Sequence, residues 1–270
     1  MFEGLNTEGA EQVEDLGAAE LAALIVDLIH RLAVHQGLWF AEAERQLGLE
    51  RALEILSAAW AKSYPLQVAR LGQCLGFALE QGLPAPLLSL SRQTLLGLVD
   101  DLAKNWLAND GLWFQSVEFS SGMFDAKRTN DSCWVRFSPV EAQAVRTFLG
   151  LGSSPGIEGL RRALAFRLYA RINRQSVRLE GPNRLVFEMN ECRVQTARSR
   201  KGLEDYPCKS VGMVEYPAFA RTIDPRLVTE CLGCPPDPHP QEWFCAWRFT
   251  LRDADGGGPA EAGTPAASPS

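Results

Sequence analysis

From Leu24 onward, apolar residues return at three- and four-residue spacing: Leu24, Leu28, Leu32, then Trp39, Phe40 and Ala43. That period puts them on one side of an α-helix with polar residues opposite. Gly48 interrupts the run, and "LERALEILSAAWAK" after it predicts a second helix. Pro65 is expected to open a third at a first-turn position, where its missing N–H leaves nothing unsatisfied. Gly76 is expected to stop it. The same pattern returns without a gap 74 residues later. "GLWF" at 37–40 recurs at 111–114, and Glu44, Gly48, Ala52, Trp60, Pro65 and Gly76 meet Glu118, Gly122, Ala126, Trp134, Pro139 and Gly150. Such scarce residue types in one register predict a duplicated helical unit. The copies diverge in the middle, where "LEIL" at 53–56 faces "KRTN" at 127–130. Trp39, Phe40, Trp113 and Phe114 are expected in the two cores, where an aromatic stripe at helical spacing belongs. Trp113 is also carried as a ligand-contacting candidate.

Beyond residue 155 the period changes. "GIEGLRRALAFRLYARI" predicts one more helix, and the alternating runs Val177/Leu179 and Leu185/Phe187/Met189 flank a Gly-Pro-Asn turn, a hairpin signal. "RLVTEC" at 226–231 and "WFCAWRFTL" at 243–251 predict two further strands; in the second, Trp243, Cys245, Trp247, Phe249 and Leu251 share a face. "YPAFARTI" at 216–223 reads as a short helix with Pro217 near its first turn. The fold class is therefore α+β, with duplicated N-terminal helical units packed on a small antiparallel sheet. The predicted segments are a flexible acidic start (1–18), copy one (19–90), copy two (91–152), a cysteine-rich α+β domain (153–251) and a disordered Gly/Pro/Ala/Ser-rich tail (252–270).

Composition narrows the function classes. At 46% hydrophobic and 22% charged residues the chain is globular rather than disordered. A net charge of −6 argues against nucleic acid or an anionic membrane as partner, because phosphates call for a basic footprint. The sequence has neither a secretory signal pattern nor an apolar run of the roughly 18 residues a spanning helix needs. A reducing cytoplasm is the expected compartment, and there clustered cysteines are metal ligands or redox groups more often than disulfides.

The cluster is Cys192, Cys208, Cys231, Cys234 and Cys245. Cys231-x-x-Cys234 is a spacing that lets two thiolates grip one tetrahedral ion from a tight turn. The other three offer the second pair. Zn²⁺ is the first expectation and an iron–sulfur cluster the alternative, since Cys234-Pro235 echoes the ending of some cluster loops; buried free cysteines are the bland one. Cys74 and Cys133 are assigned to helix cores, and His239 to a solvent-facing loop. Arg193, Arg198, Arg200 and Lys201 lie between Cys192 and Cys208. They would offset the charge of a thiolate site, or Arg198 and Arg200 would bind an anionic ligand. On the helical face carrying Trp113, Phe114 and Val117, Asp110 and Glu118 set two carboxylates eight residues apart. They suit an acid/base pair or polar ligands of a pocket; alternatively Asp110 caps a helix and Glu118 pairs with a buried arginine.

"LAKNWLANDGLWFQSVE", "NECRVQTARSRKGLEDYPCKSVG" and "VEYPAFARTIDPRLVTECLGCPPDPHPQEWFCAWRF" together resemble a family of uncharacterised prokaryotic cytosolic proteins classed as a domain of unknown function, over residues 97–251. The ending, a cysteine, a polar turn and a Cys-aromatic strand, more distantly resembles L-2-amino-thiazoline-4-carboxylic acid hydrolase-like proteins and the 4-vinyl reductase domain. The latter resemblance implies an α+β small-molecule-binding fold with Cys231, Cys234 and Cys245 at its cysteine positions. Two functions follow as expectations: a metal-containing small-molecule-binding or sensory protein, or a hydrolase of a small cyclic amide or thiazoline-type carboxylate. A small molecule is the expected partner, with a homodimer as an open option.

Overall fold

The computed structural model describes residues 4, 7–200, 202 and 205–252. The tail expectation and Lys201 lie outside the described residues, and the expected flexible start lies partly outside them. The chain divides into two compact units, up to residue 86 and from residue 87.

In the first unit, α1 (Ala18–Leu47) and α2 (Leu49–Leu75) pack on each other. They are separated only by Gly48, whose φ of 82° is a conformation that side-chain-bearing residues resist. Gly76 caps α2 in the left-handed region, as the sequence predicts. The two-residue strands β1 (Leu79–Glu80) and β2 (Leu83–Pro84) pair antiparallel, and the short helix α3 (Ala85–Leu88) follows. Pro65 does not open a helix. It lies inside α2, which runs on across it. The proline removes one intrahelical hydrogen bond, and the buried Val68 and Gly72 that follow it keep the helix packed.

In the second unit, α4 (Arg92–Ser121) and α5 (Met123–Phe148) repeat that layout around Gly122, at φ 90°. Pro139 is likewise internal to α5. The predicted single helix after residue 155 is α6 (Gly156–Leu164), followed by a separate 3-10 turn at Leu168–Arg171. Strands β3 (Arg174–Leu179), β4 (Arg184–Glu191), β5 (Leu227–Gly233) and β6 (Cys245–Leu251) form an antiparallel sheet in the order β3-β4-β6-β5. Trp243 falls before β6 rather than within it. Between β4 and β5 lie α7 (Arg193–Ser199) and α8 (Lys209–Ile223). The short helix predicted at 216–223 is the second half of α8, so Pro217 sits mid-helix.

Helix α8 is sandwiched between α5 and the sheet. Leu160, Leu164, Phe187, Phe219, Ile223, Trp247 and Phe249 form the core there, all essentially inaccessible. The contact is close because of Gly212: a Cβ at that position would lie 2.5 Å from Cζ2 of Trp247.

The two tryptophans expected in the cores are on the surface. Trp39 is 67% and Trp113 68% exposed, so they share an environment, but not a buried one. Cys74 and Cys133 are also exposed. A two-helix pair has one inner face to fill, and large side chains beside it stay open to solvent. Ala52 and Ala126, small enough for close helix approach, occupy that face.

Candidate functional site

Sheet topology gathers the cysteines. In an antiparallel order β4-β6-β5, the end of β4, the start of β6 and the end of β5 lie at one edge of the sheet. Cys192 follows β4, Cys245 opens β6 opposite Met189 of β4, and Cys234 follows β5. Cys208 stands at the start of α8, and the Lys209 amide donates to the Pro235 carbonyl at 2.8 Å, tying that helix to the Cys231–Cys234 loop. Cys192, Cys208, Cys234 and Cys245 all line one cavity of about 540 Å³. Cys231, in β5, does not.

The thiols interact. Cys234, 2% exposed, makes thiol hydrogen bonds with Cys208 and Cys245, which together with burial push its pKa far up. The Cys234 contact holds the Cys208 thiol below the ordinary value against the effect of burial, and Gln195 adds to it. Burial pushes Cys192 up to about 12. Gln195 is fully buried and its Nε2 donates to Cys208 Sγ at 3.0 Å and to the Tyr206 carbonyl at 2.8 Å, while its Oε1 accepts from the Tyr206 amide. It fixes Cys208 and Tyr206 together. Among the described residues no three His, Cys, Asp or Glu side chains are disposed as ligands of one ion. The sulfurs face one another in hydrogen bonds.

The same cavity takes in Asp110 and Glu118 from α4 and Arg193 and Arg198 from α7. Asp110 lies mid-helix and caps nothing, and burial raises its carboxyl pKa. Trp113 and Arg200 do not line the cavity and are exposed. The aromatic wall comes instead from Phe114, Trp134, Tyr169, Tyr206 and Tyr216. Trp134 stacks on Tyr169 with ring centroids 5.6 Å apart. Among the described residues no buried arginine pairs with Glu118. Among them the buried arginine is Arg167, 2% exposed, and it donates from Nε to Glu141 at 2.9 Å and from Nη2 to Glu215 at 2.6 Å. Glu215, 5% exposed, lines the cavity, and burial raises its pKa despite Arg167. His239 is tethered rather than solvent-facing: its ring bonds Asp205 at 2.8 Å and the Pro240 carbonyl at 2.9 Å.

Glu215, Gln195, Tyr206 and Tyr216 were not singled out by spacing or motif. Glu215 and Tyr216 sit in "VEYPAFARTI", where an acid inside an apolar helical run is the one visible signal.

A family model described as a family of unknown function, DUF6125, matches residues 14–90 and again residues 88–251. The chain belongs to this family. The second match contains every residue of the cavity. No curated protein and no solved structure matches the chain. Among the described residues no helix is long and apolar enough to cross a membrane.

Proposed function

We propose that the protein binds a metal through Cys192, Cys208, Cys234 and Cys245 and holds a small molecule in the adjoining cavity, as a cytoplasmic sensory or ligand-binding module. The observation that carries this reading is that four cysteines from four different segments line one cavity, three of them joined through the thiol hydrogen bonds of Cys234 with Cys208 and Cys245. A soft ion such as Zn²⁺ takes thiolate ligands gathered in this way. Zn²⁺ suits four sulfurs in tetrahedral array; an iron–sulfur cluster draws on the same ligands. Metal bonds would replace the thiol hydrogen bonds. The test is metal content in anaerobically purified protein. The wild type should hold about one zinc, or one cluster, per chain, and Cys234→Ser should lose it along with melting temperature. Equal metal and equal melting temperature in both would overturn the reading.

The second reading is a hydrolase of a small cyclic amide or thiazoline-type carboxylate. It draws on Asp110 and Glu118 lining the cavity beside the thiols, where a carboxyl with raised pKa could exchange a proton with substrate.

We also infer that the helical pairs arose by duplication. Helices α1 and α4 span 30 residues each, their starts 74 residues apart, and one family model matches both regions. The first unit has its own groove of about 510 Å³ at the corresponding place. There Gln36, Phe40, Leu56 and Trp60 stand where the second unit has Asp110, Phe114, Asn130 and Trp134. The first copy has Gln36 in place of Asp110, so the full carboxylate pair is presented in the second.

A further inference from the structure

The carboxylates at the cavity are unevenly partnered, and the open acceptors indicate what the cavity takes. One guanidinium, Arg167, serves two buried carboxylates. Glu141 is saturated: Oε2 accepts from Arg167 and Oε1 from the Leu168 amide at 2.9 Å. Among the described residues Glu215 accepts through Oε1 alone, while the residue lines the cavity. Asp110 lies close enough to Glu215 to act on it electrostatically, and its carboxylate makes no hydrogen bond or ion pair among the described residues. The Tyr206 hydroxyl, at the same cavity, is buried without a hydrogen-bond partner. Neighbouring cations do not fill these acceptors: Lys127, its Nζ 4.7 Å over the Tyr206 ring, donates to the Pro207 carbonyl. Arg193 is exposed, and Arg198 is engaged by another group.

A half-buried carboxylate without a partner (Asp110) and a half-used buried one (Glu215) beside an aromatic wall make a place for a cation. We propose that the ligand of the cavity is a small organic amine, bound as its ammonium ion. Its N–H groups donate to Asp110, to the open oxygen of Glu215 and to the Tyr206 hydroxyl. Its apolar part packs among Phe114, Trp134, Tyr169 and Tyr216. A volume of about 540 Å³ accommodates a molecule of that kind with room to spare. A zinc bound by four thiolates would carry two excess negative charges and strengthen the preference. This inference rests on the ligand-binding reading of the cavity, but it does not need the metal.

The test uses the full chain as purified and three matched probes: 2-phenylethylamine, 2-phenylethanol and phenylacetate, compared by calorimetry at pH 7. The amine should bind, and bind about tenfold or more tightly than the alcohol or the acid. Asp110→Asn should weaken the amine about tenfold and leave the alcohol unchanged, because Asp110 has no partner whose loss would disturb the fold. Glu215→Gln should also weaken the amine; it touches Arg167, so Asp110→Asn carries the decision. No binding of the amine, equal binding of the alcohol, preference for the acid, or an unchanged Asp110→Asn variant would each overturn the proposal. Metal content measured on the same samples separates this failure from failure of the thiolate reading. A chain without metal that still selects the amine leaves the present inference standing.

Discussion

Cys234 bonds to Cys208 and Cys245, and the buried Gln195 amide holds Cys208 against Tyr206, so few side chains set the cysteine end of the cavity. Cys192, Cys208, Cys234 and Cys245 could be read from composition and compartment alone, and the structure brings them to one wall. Cys231 is left out for a reason that lies in pairing: it is opposite Trp247 within the ladder, whereas Cys234 lies beyond the strand. Asp110 and Glu118 share a helix face, a fact of spacing, and both reach the cavity. Glu215 and Gln195 could not be found this way, because what marks them is burial against Arg167 and Cys208, each distant in sequence. His239 makes a testable case at this scale. The Asp205 carboxylate raises its pKa above the usual 6.5. The bond therefore contributes stability that is fully present below about pH 6.5 and is lost as pH rises through the raised value. Asp205→Asn should return the His239 titration, followed by NMR, toward 6.5. It should cost about 0.2–1 kcal/mol at pH 6 and less at pH 9. An unshifted titration would contradict the pairing.

At the scale of elements, periodicity found the long helices and the four strands, and it erred at the prolines. Pro65, Pro139 and Pro217 each lie inside a helix. Propensity makes proline a helix boundary, yet packing of the flanking turns outweighs one missing hydrogen bond. Helix α7 went unseen because its "RVQTARS" has no apolar stripe, and only Gln195 is buried in it. Trp60 and Trp134 show what covering a face does. Trp134 is 3% exposed beneath Tyr169 of the 3-10 turn, while Trp60 at the matching position is 55% exposed. The closest element contact gives the sharpest test. Gly212→Ala would drive a methyl toward Trp247, forcing α8 off the sheet at about 1–3 kcal/mol. Denaturant unfolding should show that loss, together with weaker metal retention, since Cys208 begins the same helix. A neutral substitution would mean the helix is less closely seated than described.

On the scale of the whole molecule, the two units hold different amounts of structure. None of the 30 residues of α1 is buried, whereas the second unit contains the sheet, α8 and the cavity. Chemistry is concentrated where a sheet edge, two helix starts and the inner face of α4 meet. We propose that this meeting place is a thiolate metal centre, and X-ray absorption at the metal edge of anaerobically purified protein decides it. Zinc there should show about four sulfur neighbours at roughly 2.3 Å, falling in Cys234→Ser and unchanged in Cys231→Ser. Protein that carries no metal, or a first shell of nitrogen and oxygen, would contradict it.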